Sequence, residues 1–500
     1  MMRILIKGLS DERFHRPLVN IANLFEEDSE VMFEPSELDD GLIMEFSWKE
    51  ENGMVEASGH IDGSDITSRF SRNVPESLND KERWKQIKNT VLSVYLHLLQ
   101  EHTGMTQKWG ILTGIRPTKL LHKMLREGMS KEDAHEALKR DYLIHDEKIN
   151  LMQEIVDRQL KAIPDLYDLQ QEVSIYIGIP FCPTKCAYCT FPAYAIKGQA
   201  GRVGTFLFGL HYEMQKMGAW LKEHGIKVTT VYFGGGTPTS ITAEEMDLLY
   251  EEMYRSFPDV KHIREVTVEA GRPDTISPDK LEVLNRYNID RISINPQSYE
   301  NETLKAIGRH HSVEETIEKY HLSRQYGMNN INMDLIIGLP GEGLKEFQHS
   351  LQQTEELKPE SLTVHTLSFK RASEMTRNKE KYQVADREEI TRMMDEAVSW
   401  TKAHQYHPYY LYRQKNILGN LENVGYSLDG QESLYNIIIM EEVQTIIGIG
   451  CGAASKFIDP RTGKITQYAN PKDPKSYNDR YEHYTEEKIQ FLESLFVSHV

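Results

Sequence analysis

The feature that most constrains this chain is a group of cysteines in residues 176–189, which read YIGIPFCPTKCAYC. Three of the four cysteines in the chain lie in this stretch with the spacing C-x3-C-x2-C: Cys182, Cys186 and Cys189. The β-branched run Val173–Ile179 predicts a buried strand just before them, and two prolines predict that the strand gives way to a loop. We therefore expect the three thiols on a loop at the carboxyl end of a strand.

Three thiols on one short loop indicate a bound metal. Structural zinc sites use four ligands, and no fourth Cys or His follows at a suitable spacing. A disulfide framework is disfavoured by the low cysteine count. An iron–sulfur cluster normally takes four Cys, so three would leave one iron with an open position that suits a ligand. An iron–sulfur cluster is the favoured interpretation, with zinc and buried thiols as the alternatives.

Length and charge narrow the class of protein. The 500 residues are enough for two or three domains. With 76 acidic and 58 basic residues the net charge is −18, which argues against binding a nucleic-acid polymer but leaves room for a local basic pocket that binds a small anion. The few cysteines indicate a reducing compartment, and neither a signal peptide nor a membrane-spanning run stands out. We expect a cytoplasmic protein that binds no membrane.

Three segments of the chain show different patterns. Residues 1–165 combine strand signals, an Asn-Gly turn signal and an amphipathic helical pattern over residues 80–102, which predicts an α+β module. Residues 166–380 alternate strand, loop and helix, which predicts parallel strands joined by right-handed crossovers. Residues 381–500 are expected to form a C-terminal extension packed on the parallel strands.

The strand candidates carry the site prediction, because chemistry in parallel barrels lies at the carboxyl ends of the strands. Six of them belong to the middle segment: residues 173–179, 228–233, 265–269, 291–295, 332–337 and 362–367. In the C-terminal extension, the sequence predicts strands over residues 407–413, 436–440 and 445–448, and a helix over residues 477–500. The resulting fold class is α/β, with a partial (β/α)6 barrel.

The cysteine spacing, with an aromatic residue directly before the last cysteine, resembles the radical S-adenosylmethionine (SAM) superfamily. Further stretches in the same order resemble oxygen-independent coproporphyrinogen III oxidase, also called coproporphyrinogen dehydrogenase. They begin with YIGIPFC and continue with FGGGTPT, INPQS, GRHHS and NMDLIIGLP, at Tyr176, Phe233, Ile294, Gly308 and Asn332. The resemblance covers about residues 172–457 and implies the radical SAM barrel, while the N-terminal module resembles the HemZ-type branch of the family.

The resemblance implies which residues hold the cofactors. Cys182, Cys186 and Cys189 would ligate a [4Fe–4S] cluster, and SAM would chelate the open iron through its amino and carboxylate groups. A second SAM would lie close to the first. Contacts with SAM are implied for eleven positions: Tyr176, Tyr188, Gly235, Gly236, Thr237, Glu269, Gln297, Arg309, Asp334, Ser368 and Ala454. No residue is assigned a catalytic role on the substrate, and Cys451 is interpreted as a buried small residue.

Several of these residues also have a physical reason to bind a ligand. Three glycines after a strand would let the backbone approach SAM with no Cβ in the way. Arg309 could form a bidentate fork on a carboxylate, although an exposed Arg is the commoner fate. Asp334 lies in an otherwise apolar strand, where a charge needs a partner. Glu269 at a strand end could accept hydrogen bonds from ribose hydroxyls.

The implied activity belongs to haem biosynthesis. The resemblance implies oxidative decarboxylation of two propionates of coproporphyrinogen III to vinyl groups, which gives protoporphyrinogen IX. It implies a monomer that receives electrons from a reducing donor such as flavodoxin or ferredoxin. Because the substrate has four carboxylates, basic side chains are expected near the barrel mouth, and position alone suggests four: Lys370, Arg371, Arg413 and Lys415.

Two alternatives stay open. The first is a haem-binding chaperone with the same radical SAM core, and the second is a radical SAM enzyme that acts on another tetrapyrrole. The chaperones typically show an H-N-x-x-Y-W motif, but the chain has neither a His-Asn nor a Tyr-Trp pair, which favours the enzyme. Phe191 stands where some relatives have a further Cys, a departure from the pattern of the family.

Overall fold

The computed structural model describes residues 2–34, 40–191, 193–198, 200–369, 373–414 and 417–497. Within these ranges the strands are β1 (Arg3–Lys7), β2 (Glu30–Phe33), β3 (Leu42–Glu51), β4 (Met54–Ile61), β5 (Thr67–Asn73), β6 (Val173–Ile179), β7 (Phe181–Cys182), β8 (Tyr194–Ala195), β9 (Val228–Gly235), β10 (Glu265–Glu269), β11 (Arg291–Ser293), β12 (Ile331–Ile337), β13 (Ser361–Thr366), β14 (His407–Tyr412), β15 (Asn423–Ser427), β16 (Thr445–Gly450), β17 (Ala454–Ile458) and β18 (Ile465–Ala469).

The α-helices of the same ranges are α1 (His15–Ala22), α2 (Asp80–Thr103), α3 (Thr118–Arg126), α4 (Lys131–Tyr142), α5 (Asp146–Ala162), α6 (Ala200–Glu223), α7 (Ala243–Ser256), α8 (Pro278–Arg286), α9 (Asn301–Ala306), α10 (Val313–Gln325), α11 (Leu344–Leu357), α12 (Glu374–Arg377), α13 (Arg387–Ala403), α14 (Leu434–Glu441) and α15 (Pro474–Phe496). None of the helices in the described ranges carries an apolar stretch long enough to span a membrane.

The chain divides into two compact units. One comprises Met1–Glu154 with Gln414–Asn416, and the other comprises Ile155–Arg413 with Ile417–Val500. The chain passes from the first unit to the second within α5. The finer division into residues 1–165, 166–380 and 381–500 stays a prediction.

The first unit contains a five-stranded sheet in the order β2-β1-β3-β4-β5. β1 pairs in parallel with β2 and β3, and β3, β4 and β5 form an antiparallel meander. Asn52 and Gly53 turn β3 into β4 with φ values of 52° and 72°, the left-handed pair that an Asn-Gly hairpin turn requires. The helix predicted over residues 80–102 is confirmed as α2, which begins at a capping box of Asn79 and Glu82.

The second unit is organised by an eleven-stranded sheet in the order β14-β15-β13-β12-β11-β10-β9-β6-β16-β17-β18. The strands from β13 to β16 in this order pair in parallel, and the flanking strands pair antiparallel. All six strands predicted for the middle segment are present, with ends shifted by up to two residues. The strand order is open, so the predicted α/β fold with a partial barrel is confirmed.

The C-terminal segment extends this sheet at both edges. β14 and β15 continue it beyond β13, while β16, β17 and β18 continue it beyond β6. An edge strand exposes unpaired backbone N–H and C=O groups, and the added strands satisfy these groups on β13 and β6. The carboxyl end of β16 therefore lies beside the strand that leads into the cysteines.

The expectation of a strand over residues 436–440 is wrong, because this run lies in α14. The Ser433 side chain caps the helix by accepting a hydrogen bond from the amide of Asn436, and the Glu265 carboxylate accepts the amides of Leu434 and Tyr435. A carboxylate at this position also complements the helix dipole. A short apolar run has no periodicity that separates a strand from a buried helix, so only the tertiary partners decide.

Candidate functional site

The cysteine loop (residues 180–189) is anchored to the turn that follows β9. The amide of Gly236 donates to the carbonyl of Ile179 (2.8 Å), and the amide of Thr237 donates to the carbonyl of Phe181 (2.7 Å). The hydroxyl of Thr237 lies 3.3 Å from the sulfur of Cys182. A Cβ on Gly236 would lie 2.5 Å from the carbonyl oxygen of Phe181. This glycine is therefore required by the close approach of the cysteine loop itself.

The other side of the cysteine loop rests on the carboxyl end of α9. The amide of Ala187 donates to the carbonyl of Ile307 (2.9 Å), and the hydroxyl of Thr184 donates to the carbonyl of Gly308 (3.3 Å). Gly308 has a φ of 76°, as expected for the glycine after a helix C-cap. The GRHHS stretch thus supports the loop that carries the thiols.

Arg272 is a third anchor of the cysteine loop that the sequence did not single out. Its guanidinium donates to the hydroxyl (3.0 Å) and the carbonyl (3.3 Å) of Thr184. The carboxylate of Asp274 accepts two further hydrogen bonds from the same guanidinium, of 3.0 and 2.9 Å. Arg272 is buried, so this bidentate pair fixes a planar fork against the middle of the loop.

The three thiols of the cysteine loop are mutually close enough to influence each other's ionisation. The pKa of the Cys182 thiol is raised to about 11, chiefly by burial and to a smaller extent by Cys189 and Cys186, against the opposing effect of the Thr237 hydroxyl. In the part of the chain that the structure describes, no three His, Cys, Asp or Glu side chains are arranged around a single ion. In a [4Fe–4S] cluster each thiolate binds a different iron, so three thiols on one loop fit such a cluster and leave its fourth iron open to a ligand.

The fourth cysteine, Cys451, has its hydrogen-bond partner outside the cysteine loop. Cys451 is buried, and its sulfur lies 3.3 Å from the carbonyl oxygen of Pro471, which can accept its S–H. This arrangement agrees with the interpretation of Cys451 as a small buried residue.

A stack of tyrosines lines the inner face of the sheet beside the glycine turn. The ring of Tyr232 lies 4.4 Å from that of Tyr435 and 6.1 Å from that of Tyr176. The Tyr232 hydroxyl donates to the carboxylate of Glu269 (2.5 Å). The pKa of Glu269 is raised to about 7, chiefly by burial and also by the charge of Asp334, against the opposing effect of the Tyr232 hydrogen bond.

Asp334 has partners on its own sheet, as its place in an apolar strand required. Its carboxylate pairs with the Nε2 of His365 at 3.4 Å and accepts the side-chain amide of Asn332 at 2.8 Å. The Nδ1 of His365 lies 3.2 Å from the hydroxyl of Tyr412 on β14. Burial by itself would raise the pKa of Asp334, but His365 and Asn332, with Thr363, lower it below its ordinary value. His365 is a residue that the sequence analysis missed.

Gln297 and Arg309 are both buried on loops after β11. Gln297 has a φ of 68° and donates its amide to the carbonyl of Asp334 (2.9 Å), so it sits level with the middle of β12. The terminal nitrogens of Arg309 donate to the carbonyls of Asn295 and Gly271. Burial would lower the pKa of Arg309, but nearby Tyr188 and Cys186 outweigh it and raise the pKa. The terminal nitrogens of the Arg309 guanidinium are thus bonded to backbone carbonyls.

Buried polar atoms without a protein partner gather at these strand ends. In the described chain they include the side-chain oxygens of Asn295 and Gln297, the Nε of Arg309 and both ring nitrogens of His311. The His311 side chain is 3% exposed, and burial, Arg309 and Arg272 lower its pKa to about 3. Buried polar groups in proteins are nearly always satisfied, so this group of atoms fits a polar ligand.

The remaining predicted residues lie at the two ends of the parallel region. Ser368 follows β13 and is buried. Ala454 begins β17, is exposed, and lies against Gly448, where a Cβ would be 2.7 Å from its carbonyl carbon. Gly448 pairs with Tyr176 across β16 and β6. The predicted SAM residues therefore lie on the parallel strands, on connecting loops or, for Ala454, on antiparallel β17, and their contacts with SAM stay predictions.

Of the four basic side chains suggested by position, the structure describes one, Arg413. Lys370, Arg371 and Lys415 lie outside the described residues. Arg413 is buried, donates to the side chain of Asn420 (2.7 Å) and has its pKa lowered by burial to about 10. The assignment of Arg413 to the substrate carboxylates stays a prediction.

Comparison with known sequences identifies the relatives of the chain. The sequence model of the radical SAM superfamily matches residues 176–354. Over 495 residues the chain is 74% identical to the oxygen-independent coproporphyrinogen-III oxidase-like protein HemZ of Bacillus subtilis (strain 168), and the match covers 99% of each chain. It is 31% identical over 324 residues to the heme chaperone HemW of the same organism, which covers 63% of this chain and 81% of HemW.

A solved structure supports the fold. Coproporphyrinogen III oxidase (HemN) from Escherichia coli, described as a radical SAM enzyme, superimposes with a TM-score of 0.51 at 19% identity. The match covers 65% of this chain and 72% of that chain. At this identity the similarity concerns the arrangement of strands and helices.

Proposed function

Because the chain belongs to the HemZ family of oxygen-independent coproporphyrinogen-III oxidase-like proteins within the radical SAM superfamily, we propose that it is an oxygen-independent coproporphyrinogen III dehydrogenase. It converts two propionates of coproporphyrinogen III to vinyl groups and releases protoporphyrinogen IX. Each propionate loses CO2, one hydrogen atom and one electron. The observation that carries the proposal is the anchored loop of three thiols beside buried polar atoms that have no partner in the described chain.

Membership of the superfamily implies a [4Fe–4S] cluster and SAM. Cys182, Cys186 and Cys189 would hold the cluster, and two SAM molecules would lie beside it. When bound, these groups supply the one-electron cleavage of SAM that yields a carbon-centred radical. The buried thiol of Cys182 must lose its proton to become a ligand, so cluster assembly releases protons.

The other side chains of the site bind and orient. The unpartnered oxygens of Asn295 and Gln297 can accept hydrogen bonds from SAM, and the Nε of Arg309 can donate one. Asp334, kept ionised by His365, provides a fixed negative charge for the cationic part of SAM. Because these groups are already oriented by the sheet, they lose little entropy when the ligand binds.

The tyrosine stack serves to exclude water. Tyr176, Tyr232 and Tyr435 pack with ring separations of 4.4 to 6.3 Å, and the stack is closed by α14. A dry cavity protects a reactive radical from side reactions. This role explains why large aromatic side chains face the inner side of a sheet that carries polar ligands.

The choice of coproporphyrinogen III as substrate follows from the name of the HemZ relative, because a fold alone does not define a substrate. We include in the proposal a reducing electron donor such as flavodoxin or ferredoxin, a separate electron acceptor for the substrate, and a monomeric protein. A heme chaperone is the second candidate, since HemW is 31% identical over 63% of the chain.

The deciding experiment incubates reduced, cluster-loaded protein anaerobically with coproporphyrinogen III and SAM. We expect protoporphyrinogen IX, with two molecules each of 5′-deoxyadenosine and CO2 per product. The Cys186→Ala protein is the control and should give none of the three. Haem is offered in a separate incubation. Stoichiometric haem binding, with SAM cleavage that produces no vinyl group, would refute the enzyme and support the chaperone.

A further inference from the structure

A fully buried ion pair lies behind the turn between β16 and β17. We name residues 448–455, which comprise the end of β16, the turn and the start of β17, the C-terminal glycine loop. The carboxylate of Glu213 on α6 pairs with the ammonium of Lys488 on α15, and both side chains are 0% exposed. The same ammonium donates to the carbonyl of Gly448 at 2.7 Å. A charge pair between two helices therefore ends on the backbone of the loop.

The other bonds of Glu213 lead to the same loop. One of its oxygens accepts the amide of Gly450 (2.8 Å) and the hydroxyl of Tyr477 on α15 (2.7 Å). The other oxygen accepts the side-chain amide of Asn470 (3.2 Å), which also donates to the carbonyl of Gly450 (2.8 Å). The backbone of Gly450 is thus held at both its N–H and its C=O.

Global stability is a weak explanation for such a network. Burial lowers the pKa of Lys488, against the attraction of Glu213, and a buried ion pair can often be replaced by apolar residues without loss of stability. The network instead fixes the positions of individual backbone groups of the loop, those of Gly448 and Gly450. Buried polar networks specify one conformation when their members are satisfied. In this network the Glu213 carboxylate and the Lys488 ammonium have partners, whereas the Oδ1 of Asn470 has none in the described chain.

The loop needs one conformation because it lies tightly against β6. Gly450 has a φ of 90°, and a Cβ there would lie 2.4 Å from the carbonyl oxygen of Gly178. A Cβ on Gly178 would in turn lie 2.9 Å from the carbonyl oxygen of Cys451. β6 carries Tyr176 and runs directly into the cysteine loop, so a displaced glycine loop would press on the strand that orders the thiols.

We propose that Glu213, Lys488 and Tyr477 are positioning residues that hold the C-terminal glycine loop as one wall of the SAM site. The inference deepens the proposed function, on which it rests for the role of Ala454. It makes α15 a part of the cofactor site, although α15 lies far outside the region that matches the radical SAM superfamily, residues 176–354.

The test compares two paired substitutions in cluster-loaded protein. Glu213→Gln with Lys488→Met removes the charge pair without leaving a lone buried charge. Arg158→Met with Glu432→Gln removes another largely buried pair (3.1 Å), and the hydrogen bonds of these two side chains in the described chain lead to Asp429 and to each other rather than to residues 448–455. SAM affinity and stoichiometry are measured by anaerobic equilibrium dialysis, iron by chemical analysis, and the mobility of residues 448–455 by hydrogen exchange.

We expect the Glu213/Lys488 variant to keep its iron but to exchange the loop amides faster and to bind SAM at least tenfold more weakly, or to lose one equivalent. The control pair should match wild type in SAM binding and loop exchange. Tyr477→Phe, which removes one donor only, should give a smaller change in the same direction. Its intact charge pair keeps the test informative if the double variant fails to fold.

Two results separate the inference from the proposed function. Wild-type protein that binds no SAM overturns the proposed function and with it the role of the loop. Wild-type protein that binds SAM, combined with unchanged affinity and unchanged loop exchange in the Glu213/Lys488 or Tyr477 variants, overturns only the positioning role. An equal loss of SAM affinity in the control pair would also overturn it, because the effect would then follow general stability.

Discussion

The cysteine loop and the C-terminal glycine loop are held in place by different kinds of interaction. The cysteine loop accepts hydrogen bonds from backbone amides of the glycine turn and from the guanidinium of Arg272. The C-terminal glycine loop rests on Glu213, which is 237 residues away from Gly450 in the sequence. Both loops follow neighbouring parallel strands, β6 and β16. The cysteine loop is thus recognisable from local motifs, whereas the C-terminal glycine loop depends on side chains that are distant in the sequence and close only in the folded chain.

The largest expected effect concerns the thiols, which belong to the cysteine loop alone. Changing Cys182, Cys186 or Cys189 to Ala removes a cluster ligand outright, so reconstituted protein should lose essentially all bound iron. Cys451→Ala is the matched control from the glycine loop and should keep its iron. Iron and sulfide analysis after anaerobic reconstitution measures both. Iron loss in the Cys451 variant combined with retention in a cysteine-loop variant would reverse the assignment.

The next largest effect is expected from a change of pH that titrates Glu269, the last residue of β10. Its pKa is about 7 in the folded chain against an ordinary 4.5. Between these values the folded state keeps a proton that the unfolded state has lost, so stability falls as pH rises through this range. The loss is on the order of 3 kcal/mol at neutral pH and above.

Glu269→Gln should remove this pH dependence in the cluster-free protein. Urea unfolding at pH 5 and pH 8 measures the difference in free energy of unfolding. Glu342→Gln should remove a separate and similar part of the pH dependence, because burial also raises the pKa of Glu342 to about 7, with Ser298 rather than a tyrosine of the stack as its partner. An unchanged pH dependence in the Glu269 variant would show that its carboxyl is ionised in the folded state.

The glycine turn provides the next test of the cysteine loop. Gly236→Ala would place a Cβ 2.5 Å from the carbonyl oxygen of Phe181, and overpacking of this kind costs about 1–3 kcal/mol. We expect a lower midpoint of unfolding and reduced iron uptake. Gly204→Ala on α6 meets nothing within 4 Å and should stabilise the protein by about 0.5–1 kcal/mol. Equal behaviour of the two variants would contradict the close packing of the loop.

Arg272 tests whether the cysteine loop depends on its side-chain anchor. Arg272→Met removes charge-assisted hydrogen bonds to Thr184, which are worth about 1.5–3 kcal/mol. The variant should still take up iron but lose it to a chelator about tenfold faster or more. Arg286→Met breaks an exposed pair with Asp247 (2.7 Å) and should change nothing measurable. A chelation rate equal to wild type would mean that backbone bonds alone hold the loop.

The smallest effect is expected at Tyr435, whose ring packs on Tyr232 and Tyr176. Its hydroxyl is buried and has no partner in the described chain. Tyr435→Phe keeps the ring stack and removes an unsatisfied group, so stability should change by less than about 1 kcal/mol, in the stabilising direction. Thermal unfolding measures it. A clear loss of stability would reveal a bond to this hydroxyl that the folded chain makes.

Much of the fold could be predicted from sequence because its signals are local. Six strands of the barrel, the capping box of α7 at Thr242 and the helix α2 follow from β-branched runs, cap residues and periodicity. The apolar run over residues 436–440 failed because it lacks periodicity. Its helix depends on Glu265, a carboxylate about 170 residues away that caps it.

The candidate site likewise contains residues that belong to recognisable sequence motifs and residues that do not. Cys182, Cys186 and Cys189 are grouped in the chain, and the glycines after β9 form a recognisable run. His365 and Arg272 are single polar residues with no local pattern around them. Their roles come from Asp334 and Thr184, which lie on other elements, so no spacing in the sequence could have found them.

The amino-acid sequence was enough to predict six parallel strands, the position of the thiols at a strand end and the family to which the chain belongs. These features depend on interactions between residues close in the chain, or on short motifs. The fold was needed to show that α14 closes the tyrosine stack, that His365 pairs with Asp334, and that Glu213 and Lys488 meet under the C-terminal glycine loop. Such contacts join residues up to 275 positions apart, and burial makes each of them strong only after the chain has folded.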